Sequence, residues 1–87
     1  MGFFSKKKLE DVFWNENGWT TVQQADAVNH VLEINCLAEN GIIVEVRTRH
    51  NDGEETKGIV TVDGKDALPI SIKEFSKLFE KDKIDIK

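Results

Sequence analysis

The stretch Val28-Asn29-His30-Val31-Leu32-Glu33-Ile34-Asn35-Cys36-Leu37-Ala38-Glu39-Asn40-Gly41-Ile42-Ile43-Val44-Glu45-Val46-Arg47-Thr48-Arg49-His50 decides the fold. Residues 28–38 place Val28, His30, Leu32, Ile34, Cys36 and Ala38 on one side of an extended chain, and residues 42–50 do the same with Ile42, Val44, Val46 and Thr48. Period-two alternation of this kind predicts half-buried strands, and Asn-Gly between them predicts a hairpin. Parity favours a register. A two-residue loop in a regular ladder sets Ile34 against Arg47, whereas a three-residue loop ending at Gly41 aligns Cys36 with Val44, Ile34 with Val46 and Leu32 with Thr48. The second alignment turns Glu45, Arg47 and Arg49 away from the core together with Ile43, and sets His30 opposite His50.

Outward from the hairpin, Trp19-Thr20-Thr21-Val22 has the aromatic and β-branched content of a strand. After the turn Asn51-Asp52-Gly53-Glu54, residues 56–62 read as a further strand, with Val60 and Val62 inward and Ile59 outward. Residues 67–70 read as an edge strand, because Pro69 has no N–H to give to a central ladder. Ser71 and Glu74 have the spacing of a capping box ahead of Ile72, Phe75, Leu78 and Phe79 on one helical face. Lys83-Ile84-Asp85-Ile86-Lys87 alternates as a short strand does. Near the start, Leu9, Val12 and Phe13 at i, i+3 and i+4 predict a short helix over residues 5–15. The whole is read as one α+β domain over residues 1–87: an antiparallel sheet of four or five strands, a C-terminal amphipathic helix packed on one face, and a short N-terminal helix.

Composition bounds the function. Twelve Lys and Arg against sixteen Asp and Glu give a net charge of −4, which disfavours non-specific nucleic-acid binding, an affinity that comes mostly from neutralised phosphates. One cysteine, Cys36, allows no internal disulfide and points to a reducing, cytoplasmic setting. No apolar run approaches the roughly 18–20 residues of a membrane span. Lys6-Lys7-Lys8 follows apolar residues instead of preceding a run of them, so the start does not read as a signal peptide.

No catalytic constellation stands out. Walker, G-x-G-x-x-G and G-x-S-x-G patterns are absent. Cys36 lies mid-strand among apolar residues, where a thiol acts as a small hydrophobe. His30 and His50 make an incomplete ligand set, since zinc takes three or four protein ligands. The expectation is therefore a non-enzymatic chain with no metal and no cofactor.

Three surfaces remain as candidates. Arg47 and Arg49, with Glu45 beside them and Asn29, Glu33 and Asn35 flanking, occupy the sheet face opposite the core. Trp14 and Trp19 bracket a turn and belong to a residue type enriched at interface hot spots. Phe3 and Phe4 followed by Lys6, Lys7 and Lys8 combine apolar rings with cations, as a membrane-surface contact does.

In order, Val44-Glu45-Val46-Arg47, Asp52-Gly53-Glu54, and Ile70-Ser71 with Phe75 and Leu78 resemble the coactivator family whose dimers bind single-stranded DNA on a curved sheet. That resemblance spans about forty residues and implies a single-strand binder using Arg47 and Arg49. The chain departs from the pattern in extra residues at 58–65, in few loop lysines and in its acidity. By elimination the sequence reads as a small non-catalytic module whose partner is another protein or a second copy of itself, with single-strand nucleic-acid binding and a peripheral membrane role as alternatives.

Overall fold

The computed structural model describes residues 14, 18–24, 31–50 and 52–87. The elements are β1 (Trp19–Gln24), β2 (Val31–Glu39), β3 (Ile42–His50), β4 (Glu55–Lys57), β5 (Val60–Val62), β6 (Lys65–Asp66), β7 (Ile70–Ser71), α1 (Ile72–Glu80) and β8 (Asp85–Ile86). All pairings are antiparallel. One sheet runs β1-β2-β3-β4, with β7 also on β3, and a smaller sheet runs β6-β5-β8. An α+β fold with a five-stranded antiparallel sheet and a C-terminal helix is what the sequence predicts.

The hairpin register differs from the expected one. Its loop is the two residues Asn40 and Gly41, with φ of 53° and 78°, a mirror-image turn whose twist matches that of the strands. Glu39 pairs with Ile42 and Ala38 with Ile43; the register then slips, so that Leu37 pairs with Glu45, Cys36 with Val46, Asn35 with Arg47 and Ile34 with Thr48. Val44 is the extra residue of a β-bulge, and it restores the parity that a two-residue loop alone would break. Inward and outward residues near the loop are exchanged as a result. Ile43 is fully buried, while Ile42 and Val44 are exposed, the reverse of the alternation read from sequence. A second irregularity between Val31 and Glu33 sets Val31, not His30, opposite His50. His30, the helix predicted over residues 5–15 apart from Trp14, and Phe3, Phe4, Lys6, Lys7 and Lys8 lie outside the described residues.

The strand expected over residues 56–62 is two strands in different sheets. Lys57 pairs with Arg47 in the large sheet and Val60 with Ile86 in the small one. Gly58 makes the crossing possible. Its N–H donates to the Val46 carbonyl at 2.6 Å, and a Cβ there would lie 2.9 Å from Val46 Cγ1, closer than any side chain tolerates.

Where β3 loses β4 it gains β7, through Ile42 with Ser71 and Ile43 with Ile70. The helix starts at once. Ser71 Oγ accepts from the Glu74 N–H at 3.1 Å, satisfying one of the donors that a helix start leaves open. Phe75 is fully buried and stacks on Phe79 with centroids 5.8 Å apart. The buried cluster comprises Ile34, Cys36, Ile43, Val46, Val60 and Phe75, with Trp14, Val22, Ala38, Leu68, Ile70 and Ile86 among the residues packed on it. It joins one face of the large sheet to α1 and the small sheet. Among the described residues no helix is long and apolar enough to cross a membrane.

Candidate interaction face

The second face of the large sheet carries the polar outward residues of β2, β3 and β4, and cross-strand pairing arranges them in rows. One row is Trp19, Leu37 and Glu45; the next is Thr21, Asn35, Arg47 and Lys57; a third contains Glu33, Arg49 and Glu55. Arg47 is central to them. Its Nε donates to Glu45 Oε2 at 2.8 Å, its Nη1 lies 3.7 Å from Glu55 Oε1, and its guanidinium carbon stands 4.6 Å from the centre of the Trp19 ring. That is cation–π range. The hydrogen bond to Glu45 raises the Arg47 pKa above its ordinary value, desolvation opposes this, and the charges of Glu45 and Glu55 add to the rise. Arg49 Nη1 lies 3.8 Å from Glu33 Oε1, and Thr21 Oγ1 donates to Asn35 Oδ1 at 2.7 Å.

These contacts hold both arginines in place without hiding them. The side chains of Arg47 and Arg49 remain 44% and 50% exposed, and pairs this exposed contribute little to stability. The face is also electrically balanced, with Arg47, Arg49 and Lys57 against Glu33, Glu45 and Glu55. Exposed Ile42 and Val44 lie further along β3, toward the hairpin loop.

Of the residues picked from sequence, Arg47, Arg49 and Trp19 meet on this face. Trp14 is partly buried and packs against the core; residues 15–17 between the two tryptophans lie outside the described residues. The Trp14 indole Nε1 is buried with no hydrogen-bond partner among the described residues. Glu55 and Lys57 were not legible as part of the face, since nothing in the sequence fixes how β4 aligns on β3. Exposed Ile59, 55% accessible, sits at the crossing between the two sheets, where its backbone pairs with that of Lys87.

On the buried side, His50 Nε2 lies 3.2 Å from Thr56 Oγ1, which is 3.0 Å from Thr48 Oγ1. Among the described residues no group of three His, Cys, Asp or Glu side chains could hold a metal ion. Burial pushes the Cys36 thiol up to about 12, which keeps it protonated and inert near neutral pH. An open groove of about 440 Å³ lies between the turn at Asp63-Gly64 and the segment from Asp82 to Lys87. Searches of protein-family models, of curated proteins and of solved structures find no match to this chain.

Proposed function

We propose that this chain is a non-catalytic interaction module that binds another protein through the open face of its large sheet, with Trp19 and Arg47 at the centre of the contact. The observation that carries the reading is the stack of Arg47 on Trp19, held from two sides by Glu45 and Glu55. Both residue types are enriched at interface hot spots, and a pre-positioned pair loses little side-chain freedom on binding. The unpaired, buried cysteine fits a reducing compartment such as the cytoplasm.

The charge balance supports a protein partner over a nucleic acid. A phosphate approaching Arg47 or Arg49 meets the carboxylates of Glu45, Glu55 and Glu33 at the same time, so each contact requires breaking an existing pair and tolerating a like charge. A protein surface can answer both signs.

The test is affinity capture with the full chain from its native cells, compared with the Arg47→Glu and Trp19→Ala chains. A stoichiometric protein partner held by the wild type, lost in both variants and kept by Ile59→Ser is the expected result. A partner indifferent to Arg47 and Trp19, or submicromolar salt-sensitive oligonucleotide binding that disappears when Arg47 and Arg49 become alanine, overturns the proposal.

A further inference from the structure

A different surface, the outer edge of β1, carries a second inference. Residues 17–25 are the longest stretch of the chain without an Asp, Glu, Lys or Arg, nine residues in a chain in which 32% are charged. The stretch contains the whole of β1, which has β2 as its only neighbour among the described residues. Natural sheets blunt exposed edges with charges, with proline or with very short strands. The far side of this sheet does all three: β4 carries Glu55 and Lys57, β7 follows Pro69, and the two strands are three and two residues long. β1 has six residues, no charge and no proline.

We propose that β1 pairs antiparallel with β1 of a second copy, joining two sheets into one across a two-fold axis. The face preferences limit the register. Thr21 belongs to the open face, opposite Asn35, whereas Thr20 lies opposite Cys36 on the covered side and Val22 packs on the core. Facing residues of an antiparallel pair share a face, and an axis beside Thr21, near the middle of β1, meets this by setting it against Thr21 of the partner subunit and Thr20 against Val22 of the partner subunit. Threonine pairs are favourable there. A second copy suits this edge because a chain of net charge −4 repels itself least where it is uncharged, and a self-complementary patch closes as a dimer without forming a fibre. The bulge between Thr21 and Gln23 keeps the paired stretch short, which implies a modest affinity.

Sedimentation velocity over about 1–500 μM, a range that covers weak pairing, reads this directly for the full chain. The wild type is expected to move from monomer to dimer, and Thr21→Lys, which sets two cations face to face, to weaken the dimer roughly ten-fold or more. Thr21→Cys is expected to give a covalent dimer on mild oxidation, with Cys36 too buried to contribute. Circular dichroism confirms that each variant is folded. A monomer throughout, a dimer that Thr21→Lys leaves unchanged, or protection in the monomer of those amides at residues 20–23 that do not donate to β2 overturns the proposal. Arg47→Glu leaves the dimer intact if the edge is right, whatever becomes of partner binding at the open face.

Discussion

Replacing Ile43 and, separately, Val44 by alanine distinguishes the bulged hairpin from a regular one. In the structure Ile43 is fully buried, touching the cluster of Val46, Cys36 and Phe75, while Val44 is 37% exposed. Ile43→Ala removes three buried carbons, which at about 0.8 kcal/mol each is ~2.4 kcal/mol of lost transfer energy. The cavity adds to this and brings the cost into the usual range of about 2–5 kcal/mol. Val44→Ala removes two carbons that are already partly wet, so its cost is about 1 kcal/mol or less. Against a total stability on the order of 4–13 kcal/mol for a domain of this length, the first variant is severely weakened and the second barely changed. Urea denaturation followed by circular dichroism measures both, with m unchanged as the sign that the folded state is the same. An unbulged ladder with a three-residue loop exchanges the two positions, so a larger loss at Val44 than at Ile43 refutes the bulge and with it the placement of every outward residue on β3.

Gly58→Ala places a methyl group 2.9 Å from Val46 Cγ1 and 3.2 Å from the Val46 carbonyl; a loss of about 1–3 kcal/mol in urea is expected, and a stabilised variant would contradict the close crossing. Ser71→Ala removes the acceptor for the Glu74 N–H and is expected to cost about 1 kcal/mol, with a matching fall in melting temperature. Because burial raises the Cys36 thiol from 9.0 to about 12, its contribution to stability is complete below pH 9 and is lost as pH climbs from 9 toward 12. The wild type is therefore expected to lose stability over that window faster than Cys36→Ala, and its thiol to resist alkylation at pH 8 until the chain unfolds; equal pH slopes would count against this burial.

How much of this was legible in the sequence depended on how local the signal was. Ser71 and Glu74 announce the helix start by themselves, and the Ile72, Phe75, Phe79 spacing announces its buried side. Asn40-Gly41 marks the hairpin, yet the bulge at Val44 follows from a conflict between two rules. An Asn-Gly turn prefers a two-residue loop, and the alternation of β2 and β3 forbids that loop in a regular ladder; an inserted residue satisfies both, and no single residue type signals it. Residues 56–62 read as one strand, because the reason for the break at Gly58, its approach to Val46, is a long-range contact. The same holds for the open face. Arg47 and Arg49 could be placed there by parity alone, whereas Trp19 over Arg47 and Glu55 beside it depend on how β1 and β4 align with their neighbours.

The proposed function is tested most directly by hydroxyl-radical footprinting of the chain free and in its isolated partner complex. Oxidation of Trp19 and Leu37 is expected to fall on complex formation while that of Ile59, exposed at the sheet crossing, stays the same; protection of Ile59 with Trp19 and Leu37 unchanged would contradict binding at the open face.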